Sequence, residues 1–139
     1  MRETKTLKIK ASDESLVMVN DFIHSVLPAK VDDMVLNQIE LATEEIFVNI
    51  AHYSGSAEAE ISCSYNIAGD GKGTLTMIFK DKGKPFNPLA KADPDLTLSA
   101  EERSIGGLGI FLTKKFMDSV EYEFADGMNI LRISKNICK

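Results

Sequence analysis

The chain has 139 residues, of which 44% are hydrophobic and 27% are charged, and its formal net charge is −5. This length is enough for one domain with a sizeable core, and we expect residues 1–139 to form that single domain. The acidic balance and the lack of a dense run of Lys and Arg argue against a direct nucleic-acid partner. No apolar stretch is long enough to span a bilayer and the N-terminus lacks the apolar core of a signal peptide, so we expect a cytoplasmic protein with no membrane partner.

The N-terminal residues predict a strand followed by a helix. Residues 6–11 alternate between polar and apolar side chains, which is the pattern of a half-buried strand. Ser12 or Asp13 then caps a helix, because both residue types accept hydrogen bonds from the exposed N–H groups of a first helical turn. We expect this helix to stop near Pro28.

A longer helix follows, and it carries most of the candidate chemistry. Asp32 or Asp33 begins it, and its periodicity continues to about His52. Apolar residues and one threonine recur at helical spacing and form its core stripe, namely Leu36, Ile39, Thr43, Ile46 and Ile50.

The central part of the chain predicts a hairpin and a long loop. Strands at residues 58–65 and 74–81 flank the turn signal Gly69-Asp-Gly-Lys-Gly73. Cys63 lies in the first of these strands, and we interpret it as a small buried hydrophobe. Residues 82–104 show little periodicity, and a loop of this length in a compact domain is usually functional or mobile.

The C-terminal part predicts a helix at about residues 107–118 and a closing hairpin. Its strands, at residues 119–124 and 128–134, turn at Asp126-Gly127. All five predicted strands have one apolar and one polar face, so helices should cover the sheet on one side and water on the other. The predicted fold class is a two-layer α/β (α+β) sandwich built on a mixed β-sheet.

Three residues of the long helix line up on one face, namely Glu45, Asn49 and His52. An asparagine oxygen is a hard, neutral ligand suited to Mg, which usually also keeps waters and substrate phosphates. A carboxylate one turn earlier can take the proton of a hydroxyl that attacks a γ-phosphate. The alternative is the solvated face of an amphipathic helix. Glu44 is a rival for the base, although it lies off the Asn49 face, and His52 is a weaker candidate for any catalytic role.

Asp81 lies in phase with the inward-facing row of its strand, where a carboxylate needs a donor partner. An adenine amino group would serve as that donor. Gly83 has no Cβ and leaves room for a base to approach the backbone. The alternative interpretation is a strand-to-turn boundary, at which Asp and Gly are both common.

The glycine run Gly106-Gly107-Leu108-Gly109 precedes a helix, where converging amides and the positive end of the helix dipole favour an anion. It is neither a Walker P-loop nor a convincing Rossmann fingerprint, because no Gly-Lys-Ser/Thr follows and no strand immediately precedes it. Arg103 could pair with phosphates. The alternative for Arg103 is an exposed loop residue paired to Glu101 or Glu102.

Taken in order, Glu45-x-x-x-Asn49, Asp81-x-Gly83 and Gly107-x-Gly109 resemble the motifs of the Bergerat fold, the ATP-binding fold of the GHKL superfamily of histidine kinase-like ATPases. Within it the chain is similar to the anti-sigma factor serine/threonine-protein kinases. No phosphoacceptor-histidine helix pair precedes the motifs and no transducer domain follows them, so we expect a stand-alone switch protein.

The resemblance implies a role for each motif residue. Asn49 would coordinate Mg that bridges the phosphates of ATP or ADP, and Glu45 would be the general base for a protein serine. Asp81 would bind the adenine amino group and Gly83 would admit the ring. The phosphates would be held by Gly107, Leu108, Gly109 and Arg103, under a lid at about residues 88–105. The role of Asn129, which stands where many relatives have threonine, is left open.

The resemblance also implies partners. The substrate would be a STAS-type anti-anti-sigma protein, the sequestered partner would be a sigma factor, and the kinase would be a homodimer. Two other interpretations remain at this stage. One is a nucleotide-gated module that binds a partner without phosphorylating it, and the other is an α/β interaction domain that binds no nucleotide, in which the glycines only serve turns.

Overall fold

The structure, a computed structural model, describes residues 2–27, 31–90 and 107–138. Its strands are β1 (Arg2–Lys10), β2 (Glu58–Ile67), β3 (Gly73–Asp81), β4 (Ser119–Ala125) and β5 (Met128–Cys138). Its α-helices are α1 (Leu16–Val26), α2 (Asp33–Asn49) and α3 (Gly107–Phe116). Single turns of other helix types occur at Asp13–Ser15, Ile50–Ser54 and Pro88–Ala90.

The five strands form one sheet in the order β1-β2-β3-β5-β4, and every neighbouring pair is antiparallel. The fold class is confirmed, but the expectation of a mixed sheet was wrong. The α3 crossover does make β4 run parallel to β3, as helical crossovers do. However, β5 folds back as a hairpin and inserts between them, so no two parallel strands become neighbours.

Apolar and polar side chains alternate along the strands, which gives the sheet one apolar face and one polar face. On β3, Leu75, Met77 and Phe79 point inward and are buried. They pack with the apolar stripes of the helices in one core cluster, which includes Val19, Ile23, Ile39, Ile46 and Phe47. This burial of apolar surface is the main stabilising contribution to the fold.

The opposite face of the sheet carries charges of alternating sign. Lys8 pairs across the strands with Glu60, which in turn pairs with Lys80. Opposite charges on directly facing positions are favourable, and they suit a face that lies against water. The two-layer arrangement, with helices on one side only, is therefore confirmed.

The long helix ends differently from the prediction. Regular α-helix stops at Asn49, and the chain then makes a single π turn over Ile50–Ser54 before Gly55, whose φ is 77°. Glycine adopts this left-handed conformation without strain, and it terminates the helix. The π turn directs the Ser54 carbonyl toward the segment that follows β3, where Lys84 N donates to it at 3.0 Å.

Among the described residues, no helix has the length and apolarity needed to cross a membrane.

Candidate functional site

The C-terminal end of α2, the last residue of β3 and the beginning of β5 enclose a small cavity of about 30 Å³. Two of the residues predicted for the site, Asn49 and Asp81, both line it. The remaining lining is largely apolar and comprises Ile46, Ile50, Ser54, Phe79, Phe86, Pro88, Tyr122, Asn129 and Leu131. A mostly apolar pocket with a few converging polar groups is the usual form of a small-molecule site.

Asn49 contributes a polar amide to this lining. It is 7% exposed, and its amide makes no hydrogen bond to any other described residue. The amide is not sealed from solvent, because Oδ1 of Asn20 is the one fully buried side-chain oxygen or nitrogen without a partner in the described part of the chain. An open amide that no described residue engages is free to bind a ligand at the cavity that it lines.

Glu45 lies one turn before Asn49 and is half-buried. Burial, and secondly the neighbouring charge of Glu44, raises the pKa of the Glu45 carboxyl. A Cβ added to Gly109 would lie 1.9 Å from both Cδ and Oε2 of Glu45. The carboxylate therefore rests directly on the first turn of α3, and glycine at position 109 makes that contact possible.

Glu44, the rival for the base, points elsewhere. Its Oε1 accepts a hydrogen bond from Nδ2 of Asn20 on α1, at 3.2 Å. Of the two adjacent carboxylates, Glu45 is thus the one that lies against α3, on the side of the predicted phosphate-binding residues.

Asp81 is 5% exposed at the end of β3. Its Oδ1 accepts hydrogen bonds from Gly83 N at 2.9 Å and from Asn129 Nδ2 at 3.0 Å. The donor partner that the sequence required for this inward-facing carboxylate is therefore supplied in part by the protein itself.

Asn129 is the site residue whose role the sequence left open. It pairs directly with Asp81 in the β3–β5 register and is 5% exposed. Besides its bond to Asp81, its Nδ2 donates to Lys84 O at 2.8 Å, and its Oδ1 accepts from Phe86 N at 3.0 Å. A polar residue in phase with buried Leu131 and Ile133 was the sequence signal that could have identified it.

Gly83 packs against the π turn. A Cβ at this position would lie 2.2 Å from the Ser54 carbonyl oxygen, which real side chains do not tolerate. The structure thus supplies a reason for glycine that the sequence did not contain, namely the close approach of two backbone segments.

Of the predicted phosphate-binding residues, Gly107 and Gly109 lie in the first turn of α3, as does the backbone of Leu108. Arg103, Gly106 and residues 91–105 of the predicted lid lie outside the described residues. At the near end of that lid, Pro88–Ala90 forms a single 3-10 turn.

An aromatic stack borders the cavity. The rings of Tyr53 and Phe86 have centroids 5.5 Å apart and an interplanar angle of 22°. Phe86 and Pro88 both narrow the cavity. The space has room for a few water molecules at most and is too small for a purine ring, so a nucleotide requires the Phe86 ring and Pro88 to move aside.

His52 lies apart from these groups. Its Nε2 is 2.8 and 2.9 Å from the two carboxylate oxygens of Asp13, in the turn before α1, and both side chains are exposed. The pair connects the end of α2 to the beginning of α1, which is a structural role.

A two-layer sandwich with an asparagine at the end of the long helix, an aspartate at the end of the central strand and a glycine-led third helix defines the Bergerat class of ATPase domains. The chain belongs to the histidine kinase-like ATPase domain family, which matches residues 9–135. This membership removes the support for an interaction domain unrelated to nucleotide.

Curated relatives agree with this assignment, and a solved structure shares the fold. The chain is 28% identical over 102 residues to the serine-protein kinase RsbW of Listeria monocytogenes and 26% identical to that of Listeria innocua. Each match covers 69% of this chain and 63% of the relative. A structure of the RsbU and RsbW domains of Rv1364c from Mycobacterium tuberculosis superposes with a TM-score of 0.60 and 12% identity, covering 99% of this chain and 33% of that one. The resemblance to the anti-sigma kinase family is confirmed.

Proposed function

We propose that the chain is an ATP-dependent protein serine kinase that also acts as an anti-sigma regulatory factor. The observation that carries the proposal is the convergence of Asn49 and Asp81 on one cavity, with Glu45 one helical turn before Asn49 and against the first turn of α3. The similarity to serine-protein kinases of the RsbW type supports the same reaction.

The residues at the cavity suit ATP and Mg in chemical type. Within the described part of the chain, no cluster of three or more His, Cys, Asp or Glu side chains could hold a metal. A site with one amide ligand suits Mg, which is commonly held by one or two protein oxygens together with phosphates and waters. Asn49 would provide that oxygen, and the ion would neutralise charge on the phosphates during transfer. Asp81 would bind the adenine end of the nucleotide.

Glu45 would serve as the general base. The proton of the substrate serine hydroxyl would pass to the Glu45 carboxylate while the serine oxygen bonds to the γ-phosphorus and the bond to the β–γ bridging oxygen breaks. A raised pKa makes this carboxylate a stronger base than an exposed glutamate.

The proposed partners follow from the family. The substrate is a STAS-type anti-anti-sigma protein, the sequestered partner is a sigma factor, and the kinase acts as a cytoplasmic homodimer. The γ-phosphate would couple nucleotide state to partner affinity.

One observation favours a second candidate, a nucleotide-gated binding module without kinase activity. The Glu45 carboxyl is in contact with Gly109 in the first turn of α3. In this alternative Glu45 anchors α3 and transfers no proton.

Transfer of labelled γ-phosphate to a STAS-type protein separates the two candidates. For a kinase, Glu45→Ala abolishes transfer while Mg-ATP binding persists, and Glu44→Ala, which removes the rival carboxylate, retains transfer. Nucleotide-dependent complex formation without transfer by the wild-type protein would instead establish the binding module.

A further inference from the structure

A chain of three polar side chains runs from the edge of the sheet to the cavity. Tyr122 on β4 donates its hydroxyl to Oδ1 of Asn129 at 2.5 Å, and Asn129 donates Nδ2 to Oδ1 of Asp81 at 3.0 Å. All three residues line the cavity. β4, β5 and β3 are adjacent strands, in which Asn129 pairs directly with Asp81 and Tyr122 lies diagonally to Asn129, opposite Leu131.

The orientation of the Asn129 amide is fixed by partners that cannot exchange roles. Phe86 N can only donate and bonds to Oδ1, whereas Lys84 O can only accept and bonds to Nδ2. With Tyr122 and Asp81 added, the amide uses both acceptor positions and both donor hydrogens. Rotating it by half a turn would place N–H against N–H and oxygen against oxygen.

This fixed amide determines which carboxylate oxygen of Asp81 meets a ligand. Oδ1 is occupied by Gly83 N and by Asn129 Nδ2. Oδ2 accepts no hydrogen bond from the described residues, and Asp81 lines the cavity. The residue therefore presents a pure acceptor to a bound molecule, and a ligand group there must be a donor.

We propose that Tyr122 and Asn129 are positioning residues that make this pocket select a purine with an amino group at position 6. They hold Asp81 so that Oδ2 accepts from that amino group and discriminates against 6-oxo and 6-unsubstituted purines. The inference rests on the proposed function, in which the pocket binds ATP.

Calorimetric titration with three triphosphates tests the inference, namely ATP, purine riboside triphosphate and ITP. A hydrogen bond from a neutral donor to a charged acceptor corresponds to about tenfold or more in affinity, so the wild-type protein should prefer ATP over both analogues by at least about that factor. In Tyr122→Phe the preference for ATP over purine riboside triphosphate should fall at least threefold, while the affinity for the analogue changes little. Tyr65→Phe, which removes a hydroxyl from β2, should retain the wild-type preference.

A second variant probes the orientation directly. In Asp81→Asn, the donors Gly83 N and Asn129 Nδ2 hold the new carbonyl oxygen at the Oδ1 position, so the new NH₂ group must face the ligand. The preference should then invert toward ITP, whose 6-oxo group accepts. A variant that still prefers ATP would show that Asn129 does not set the orientation.

The outcomes separate the inference from the proposed function on which it rests. Wild-type protein that binds ATP but does not distinguish it from purine riboside triphosphate overturns the inference and leaves ATP binding intact. An unchanged preference in folded Tyr122→Phe also overturns it. Wild-type protein that binds none of the three triphosphates overturns both.

Discussion

Glu45 is the residue whose surroundings predict a pH dependence. Burial first, and the charge of Glu44 second, raises its pKa above 4.5, the value expected for an unfolded chain. A carboxyl with a raised folded-state pKa contributes stability below pH 4.5, and that contribution is lost as the pH rises through the folded-state pKa. Ionised Glu45 is therefore a cost to the fold near neutral pH.

We predict that Glu45→Gln gains free energy of unfolding relative to the wild-type protein as the pH rises from below 4.5 to 7. Denaturant titration at the two ends of this range measures the change. In a Glu44→Gln background the gain should be smaller, because the second cause of the shift is gone. A difference that stays constant with pH would mean that the environment of Glu45 does not disfavour its charge.

The stability of the protein should respond differently to alanine at two glycines of the site. In Gly83→Ala the new Cβ would lie 2.2 Å from the Ser54 carbonyl oxygen, and backbone cannot move aside cheaply, so we predict a loss of about 1–3 kcal/mol in unfolding free energy. In Gly109→Ala the obstacle is the flexible end of Glu45, so stability should change little while phosphotransfer falls. Gly69→Ala, with nothing within 4 Å of its Cβ, is the control for the substitution itself. Equal losses in both site variants would contradict this account of the two contacts.

At the scale of elements, the segment after β3 is held by two different kinds of contact. Its backbone is bonded to Asn129 and to Ser54, whereas its ring at Phe86 stacks on Tyr53. The backbone contacts shape the wall of the cavity, and the stack keeps the Phe86 ring over a space too small for a purine.

We predict that Tyr53→Ala binds ATP about two- to tenfold more tightly than the wild-type protein. The stack contributes about 0.5–1.5 kcal/mol to the arrangement in which the Phe86 ring narrows the cavity. A ligand that needs this ring moved aside must overcome that contribution. Calorimetry measures the affinity, and Tyr53→Phe, which keeps the ring, should bind as the wild type does. Weaker binding by Tyr53→Ala would show that the ring contacts the nucleotide instead of opposing it.

The sequence predicted which segments form strands and helices better than it predicted which strands lie next to one another. Alternation located all five strands, and the left-handed residues Asp126 and Gly127 form the predicted turn of the last hairpin. The fully antiparallel sheet was not predictable from local pattern, because it depends on β5 inserting between β3 and β4. The π turn at Ile50–Ser54 was missed for a similar reason, since helical periodicity hardly distinguishes it from α-helix.

At the scale of the whole molecule, the long helix and the end of the central strand meet at one cavity, as the motifs predicted. Asn49 and Asp81 are far apart in sequence and were assigned separately, yet both line the same space. The bonds of Asn129 to Asp81, Lys84 and Phe86 were beyond local inference. They depend on the register of two strands that are distant in the chain, which only the folded sheet establishes.

This cavity is the proposed Mg-ATP site, and titration calorimetry with Mg-ATP is the decisive measurement of that proposal. We predict saturable binding by the wild-type protein and at least about tenfold weaker binding by Asn49→Ala, because the variant loses the one protein oxygen proposed for Mg. Asn66→Ala, an exposed position on β2, should bind as the wild type does. Absence of binding by the folded wild-type protein, or equal binding by Asn49→Ala, would contradict the account.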